Sequence, residues 1–180
     1  MVFEPEAAPR DHYSFLEWCA EQTKWNEEHS YNDPNVTSTR LRAWFLDVIR
    51  FFPPFNGVFA EEKLPEDEST AADYSIGKET IYIAFAWSKA ELAYRTTLDL
   101  AAKHDLGFFN ISSQDEEVWL PVEGRLIQGE SALRGMEEQH SAGYMERVCR
   151  KWKYCINDAV LQSVVIVLMA PPNKKRPRVN

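Results

Sequence analysis

Residues 79–112 decide the fold, and they read ETIYIAFAWSKAELAYRTTLDLAAKHDLGFFNIS. Two apolar runs, at 81–87 and 106–111, enclose a segment in which small and apolar residues recur every three or four positions. That spacing predicts a helix with one buried face, so the stretch predicts a strand, a helix and a second strand. Because a helix of about fifteen residues can carry the chain back across a sheet, we expect the second strand to be the parallel neighbour of the first.

The beginning of this helix is predicted at Ser88. The order Ser88, Lys89, Ala90, Glu91 matches a capping box, in which the hydroxyl accepts from the backbone and the carboxylate reaches back to the cap residue. Both flanking strands are apolar on two faces, which indicates covered, central positions in the sheet.

Two amphipathic helices are predicted before this unit. Residues 11–29 mix aromatic and charged residues without glycine or proline, which favours a first helix. Thr37 or Ser38 is suited to cap a second helix, whose apolar positions follow helical spacing as far as Phe52, before two prolines end it. We interpret these aromatic residues as core packing.

The rest of the chain gives weaker patterns. Short strands are predicted at 74–76 and 118–120, and a buried strand at 164–169. Within 124–143 we expect a loop followed by a short helix near 131–140, and then a helix through Trp152, although residues 152–156 could instead be extended. The sequence therefore predicts an α/β or α+β fold, with a central sheet packed by N-terminal and C-terminal helices. We expect one domain over residues 1–173 and a disordered basic tail at 174–180.

The charge of the chain is strongly acidic. It has 28 acidic and 20 basic residues, and because four of the basic ones lie at 174–180, residues 1–173 carry a net charge of −12. Such a body repels nucleic acid and attracts basic proteins. The first ten residues do not resemble a signal peptide, no apolar run approaches the ~20 residues of a membrane span, and three cysteines without a C-x-x-C pair favour a reducing compartment. We expect a cytoplasmic protein that binds neither nucleic acid nor a membrane.

Two acidic clusters are the candidate functional residues. The connection at 55–73 holds six acids and one base, and three acids at 115–117 follow the second central strand. If the two strands are parallel, the loops after them share one edge of the sheet, which places Trp87 near 115–117. An aromatic anchor beside steering carboxylates suits a protein contact, although both clusters also fit ordinary solvated surface. The candidate partner-binding residues are Glu61, Glu62, Glu66, Asp67, Glu68, Trp87, Asp115, Glu116 and Glu117.

The sequence contains no recognisable catalytic motif. It lacks a P-loop, a G-x-G-x-x-G fingerprint, a G-x-S-x-G elbow and an H-E-x-x-H zinc motif, and its four histidines are far apart. His104 follows a predicted helix, where we expect it to interact with the helix C-terminus. The acids at 115–117 could ligate a metal, but consecutive acids in a loop are more often solvated. We therefore predict no catalytic residue, no cofactor and no metal ligand.

Four blocks of this sequence resemble a known family. They are FPPFNG at 52–57, DYSIG at 73–77, IYIAFAWS at 81–88 followed by Ala90, Ala93 and Tyr94, and AKHDLGFFNIS at 102–112. Together they resemble bacterial immunity proteins of polymorphic toxin systems. More narrowly, they are similar to the immunity family paired with restriction-endonuclease-like toxins, some of which are delivered by type VI secretion. The resemblance spans roughly residues 41–121.

The resemblance implies a binding protein without a substrate. Such a protein would bind a cognate toxin, expected to be a nuclease, and neutralise it by protein contact. No interface residue transfers from the family, because the shared residues are structural in type. Two alternatives stay open from the residues alone: a small hydrolase or transferase with a site at the carboxyl edge of the sheet, and a non-catalytic adaptor protein.

Overall fold

In the part of the chain that the structure describes, a six-stranded sheet and three helices form an α+β fold. The structure is a computed structural model that describes residues 1–55, 57–60, 65–113 and 116–129. In chain order the elements are β1 (Val2–Phe3), α1 (His12–Gln22), α2 (Thr39–Val48), β2 (Asp73–Ile76), β3 (Thr80–Ala84), α3 (Ala90–Lys103), β4 (Gly107–Asn110), β5 (Glu117–Val122) and β6 (Arg125–Gln128). Short 3-10 turns lie at Glu68–Thr70 and Trp87–Lys89. The strand order is β2-β3-β1-β4-β5-β6, and every adjacent pair is antiparallel.

The strand, helix, strand unit is present, but its two strands are not neighbours as the sequence suggested. β1 lies between them, with Val2 opposite Ile81 of β3 on one side and Phe108 of β4 on the other. Because β1 is antiparallel to both, β3 and β4 run parallel to each other about 10 Å apart, or two strand spacings. The expectation of adjacent parallel strands is wrong because a two-residue strand from the start of the chain occupies the place between them.

The predicted capping box at Ser88 is also wrong. Trp87–Lys89 form a 3-10 turn, and α3 begins at Ala90 after Lys89, whose side chain makes no cap hydrogen bond. A cap residue needs an extended backbone, and in this segment the residue with that backbone is Ala86, which precedes the 3-10 turn. Glu91 pairs instead with Arg95 one turn along the helix, at 2.6 Å. The residues of the predicted capping box therefore form the tight turn that follows β3 and the first turn of α3.

The two N-terminal helices follow the sequence more closely. Asp11 caps α1 by accepting from the Ser14 N–H at 2.9 Å, but α1 ends at Gln22 and is shorter than the predicted 11–29. Ser38 caps α2 by accepting from the Leu41 N–H at 3.1 Å, which confirms one of the two predicted caps. The predicted apolar positions within α2 are buried, namely Leu41, Trp44, Phe45 and Val48, but the helix ends at Val48 and does not reach Phe52 as predicted.

The helices cover both faces of the sheet. α2 and α3 pack on one face with Val2, Ile81 and Phe108, while α1 packs on the other with Phe3 and Phe109. Successive residues of a strand point to opposite faces, so the two residues of β1 serve both cores.

The two helices on the first face are joined by an ion pair. Asp47 of α2 accepts hydrogen bonds from Lys103 (2.7 Å) and His104 (2.8 Å), which hold the pKa of its carboxyl below the usual range. His104 is the C-cap of α3, so it lies at the helix end where the sequence placed it. Its imidazole contacts the Asp47 carboxylate directly, and Lys103 is the basic residue in the last turn of α3, where a cation interacts favourably with the helix dipole.

Most of the remaining strand predictions are confirmed. β2 and β5 lie at the predicted positions, although β5 is longer and continues through Pro121. β6 was not predicted, because it falls in a stretch with several glycines that favoured a loop. The predicted helices within 131–152, the strand at 164–169 and the basic tail lie outside the described residues.

Gly107 is required by the aromatic ring opposite it. Gly107 pairs with Phe3 across the ladder, and a Cβ at Gly107 would overlap the Phe3 ring. Phe3 is fully buried and packs against Phe15 with ring centroids 5.3 Å apart, so it has little room to move. We expect Gly107→Ala to lower the free energy of unfolding by about 1–3 kcal/mol, measured by urea denaturation.

The control for this substitution is Gly124→Asn. Gly124 has φ +73° and open space around its Cβ position, and asparagine tolerates that backbone region. We expect a change within about 0.5 kcal/mol. A comparable loss at both glycines would contradict the proposed close packing of Phe3 on Gly107.

Candidate functional site

The long connection between α2 and β2 is closed at its base by hydrogen bonds. The Phe55 N–H donates to the Ala72 carbonyl and the Ala72 N–H donates to the Pro53 carbonyl, both at 2.9 Å. The buried Tyr74 hydroxyl donates to the Phe52 carbonyl at 2.7 Å. The ends of the connection are therefore close together, as in an Ω-loop, next to the start of β2.

Asp67 fastens this loop to the turn that precedes α3. Its carboxylate lies 2.7 Å from Lys89 Nζ and accepts from the Ser69 N–H at 3.1 Å. The hydrogen bond from Lys89 is the main cause that holds the pKa of the Asp67 carboxyl below its usual range. Glu66 and Glu68 on either side are exposed. One acid of this group thus positions the loop, and its two neighbours face solvent.

Trp87 lies in the same turn as Lys89. Its side chain is 40% exposed, whereas Phe85 two residues earlier is buried and packs on Phe52 with ring centroids 4.8 Å apart. The neighbouring turn at Glu68–Thr70 is joined to this one by the ion pair of Asp67 with Lys89. The structure therefore places Trp87 beside the acids at 66–68, while the sequence led us to expect it beside those at 115–117.

Two exposed apolar residues of the loop were missed from the sequence. Val58 is 70% exposed and Phe59 is 38% exposed, with the Phe59 ring 5.6 Å from that of the buried Phe45. The sequence does indicate them, because residues 57–60 form an uncharged, largely apolar run directly before the acids. The prediction considered only the charged residues of this segment. We call the six residues Val58, Phe59, Glu66, Asp67, Glu68 and Trp87 the loop–turn surface.

The second predicted acidic cluster is tied into the fold. Glu116 lies 2.6 Å from His12 Nε2, and the two side chains are only 13% and 18% exposed. This contact joins the start of β5 to α1. Asp115 of this cluster and Glu61 and Glu62 of the first lie outside the described residues.

Glu117 accepts hydrogen bonds from three neutral side chains. One carboxylate oxygen accepts from the Tyr94 hydroxyl and from Trp119 Nε1 (2.7 Å), and the other accepts from Asn110 Nδ2 (3.0 Å). Burial, followed by the bond to Glu117, raises the pKa of Tyr94. The carboxylate thus joins α3 to β4 and β5, on the face of the sheet opposite α1.

The described histidines each lie beside one carboxylate. The pairs are His12 with Glu116, His29 with Glu27 (2.7 Å) and His104 with Asp47. Within residues 1–55, 57–60, 65–113 and 116–129, no three side chains of the metal-ligating types His, Cys, Asp and Glu are grouped to hold an ion. A cavity of about 30 Å³ beneath α3 has neither a histidine nor a carboxylate among its described lining residues. The described arrangement therefore offers ion pairs and an exposed contact surface.

Comparison with known proteins gives no match: no protein-family model, curated protein or solved structure is similar to this chain. No family is therefore established for this chain, and the resemblance to immunity proteins stays a prediction. None of the helices in the described part of the chain has the length and apolar character needed to span a bilayer.

The Glu117 network leads to a prediction of stability. Glu117→Gln replaces one acceptor oxygen by an amide donor, which leaves at least one of the three donors without an acceptor in a partly buried site. We expect the free energy of unfolding to fall by about 1–3 kcal/mol, measured by urea denaturation at neutral pH.

The matched control is Glu91→Gln on the exposed face of α3. Glu91 is 80% exposed in its side chain and makes only a surface ion pair with Arg95 among the contacts described for it. The expected change is within about 0.5 kcal/mol. If both variants lose the same stability, the network around Glu117 does not hold α3 on the sheet.

Proposed function

We propose that this chain is an immunity-type protein, which binds a cognate protein toxin and neutralises it by protein contact. The toxin is a nuclease effector, of the kind delivered by type VI secretion, and the chain acts in the cytoplasm of the producing cell without catalysing a reaction. The observation that carries the proposal is the loop–turn surface, in which the turn of the exposed Trp87 is fastened to the acids at 66–68 and the same loop exposes Val58 and Phe59. The resemblance over residues 41–121 supports the same function.

The charge of the chain fits a basic partner. A nuclease needs a basic surface to bind phosphates, and a carboxylate-rich protein can compete for that surface. Residues 1–173 carry a net charge of −12, and Glu66 and Glu68 present carboxylates at the loop–turn surface. Acids at the rim of an interface mainly raise the association rate and select the partner.

The apolar residues of the loop–turn surface supply the affinity. The Phe59 ring lies 5.6 Å from that of the buried Phe45, and Trp87 lies in the short turn that Asp67 fastens through Lys89. Side chains held in this way lose little conformational freedom on binding, so more of their burial appears as affinity. Tryptophan is among the residues that most often dominate the binding energy of an interface.

One observation favours a second candidate, a small hydrolase or transferase. His12 and Glu116 lie within hydrogen-bond distance at the start of β5, a geometry that a general base and its orienting group also adopt. This candidate requires turnover of a small molecule that His12→Ala abolishes. An adaptor with a housekeeping partner is the remaining alternative, and it requires that the chain give no protection against a toxin.

The proposal is tested by co-expression with the product of the neighbouring open reading frame. We expect that product to be lethal alone and harmless with this chain, and the two to co-purify. A neighbouring product that is harmless alone, or that stays lethal and unbound in the presence of the folded chain, would rule out the immunity function.

The contact surface is tested with Trp87→Ala in the same pair. We expect the dissociation constant to rise about 30-fold, because the change removes a hot-spot aromatic side chain worth ~2 kcal/mol. Tyr13→Ala is the control, since Tyr13 is 45% exposed on α1, across the sheet. Its dissociation constant should change by less than about twofold.

Charge reversal separates steering from anchoring. Glu66→Lys with Glu68→Lys should slow association severalfold in low salt and have less effect at high salt. Toxin binding that is retained with normal affinity and rate in both the Trp87 and the charge-reversed variants would keep the immunity function but exclude the loop–turn surface.

A further inference from the structure

A small cavity lies between α3 and the centre of the sheet. Its volume is about 30 Å³, and the described residues that line it come from β3, β4, α3 and the segments next to them. Most are apolar, such as Ile83, Phe85 and Phe108, but Thr97, Asn110 and Ser112 also line it. The lining of the cavity is therefore partly polar and partly apolar, and the cavity is partly open.

Thr97 brings a buried hydroxyl to this cavity. The residue is 2% exposed, and its Oγ1 has no hydrogen-bond partner among the residues that the structure describes. A buried hydroxyl without a partner is costly, so nearly all such groups in folded proteins are satisfied by protein or by ordered water. The partner of Thr97 must reach it through the cavity or along its own helix.

Asn110 also lines the cavity and offers an acceptor there. Its Nδ2 donates to Glu117 (3.0 Å), and its Oδ1 accepts from the Ser112 N–H (3.2 Å). An amide oxygen has two lone pairs, so Oδ1 can accept a second hydrogen bond. Asn110 as a whole is 8% exposed, so it is a buried residue.

The geometry points to a buried water site in this cavity, in which one or two ordered water molecules bridge the Thr97 hydroxyl to Asn110. A water molecule needs roughly 10–15 Å³ of this kind of volume and two to four polar partners, and the cavity meets both requirements. The cavity is too small for a substrate or a peptide, whose sites are at least ten times larger by the usual ~300 Å³. Water is therefore the ligand that the site takes.

The bridging water would tie α3 to the sheet at a second point. The direct tie is Tyr94 to Glu117, and Thr97 lies one turn further along the helix. Because Asn110 contacts Glu117, the two ties form one polar chain from α3 into β4 and β5. The water therefore fixes the position of α3, and with it the turn that holds Trp87, independently of any partner.

The test compares Thr97→Val with the control Thr96→Val. Valine keeps the shape of threonine and removes the hydroxyl. A lower melting temperature would therefore mean that the hydroxyl has a partner, and an equal or higher one that it has none. If a water bridges Thr97, Thr97→Val leaves that water one partner short and lowers the melting temperature by about 2–4 °C. Thr96, which is more exposed on the same helix, should show a change of less than about 1 °C.

Two results would overturn the water site. One is a melting temperature that is unchanged or higher in Thr97→Val, as expected when an unpartnered hydroxyl is removed. The other is a crystal structure of the full chain, at a resolution that shows ordered solvent, with no water within hydrogen-bond distance of Thr97 Oγ1 and its hydroxyl bonded to the Ala93 carbonyl instead. Density for water within reach of both Thr97 and Asn110 would support the site.

Discussion

The pairing of β1 with two strands at once is the constraint on which the rest of the structure depends. Val2 and Phe3 are fully buried and hydrogen-bond into both β3 and β4. The ladder extends one residue on each side, since the Met1 and Phe109 backbones exchange two hydrogen bonds of 2.9 Å and the Glu4 N–H donates to the Glu79 carbonyl at 3.0 Å. A segment this short joins the two halves of the sheet.

The consequences of this pairing reach both cores and the helices. The Phe3 ring lies against Gly107 and packs with Phe15 and Trp18 of α1. Val2 packs in the other core, with α2 and α3. Glu4, which follows directly, accepts hydrogen bonds from Ser38, the cap of α2, and from Arg40. A carboxylate at a helix N-terminus also interacts favourably with the helix dipole. The first four residues thus position one helix on each face of the sheet.

The regular elements could be predicted wherever the sequence repeats a pattern over many residues. α2 and α3 show helical spacing of apolar residues, and β3 and β4 are short apolar runs bounded by turn residues, so their existence and central location followed from the sequence. β1 could not be predicted because two apolar residues carry no period, and its burial depends on partners more than 70 positions away. The start of α3 was mistaken because the motif at Ser88 is equally compatible with a 3-10 turn, which tertiary packing selected.

The candidate site was predictable only in part. Charge alone identified the acids at 66–68 and at 115–117. The sequence cannot show which of these carboxylates are hydrogen-bonded to other side chains of the fold. The structure separates them: Glu66 and Glu68 face solvent, while Glu116 and Glu117 bind His12 and the Tyr94 network. Val58 and Phe59 were overlooked because apolar residues are expected to be buried, and their exposure depends on how the loop is closed at its base.

The most direct measurement of the central constraint is hydrogen exchange of the backbone amides that flank β1. If β1 joins the sheet as described, the Glu4 and Phe109 amides exchange only through global unfolding, with opening free energies equal to that from denaturant titration. The Ala60 amide, bonded to Gly57 within the exposed loop, should exchange far faster. Exchange at Glu4 and Phe109 as rapid as at Ala60 would contradict the central position of β1, and with it the placement of both helical layers.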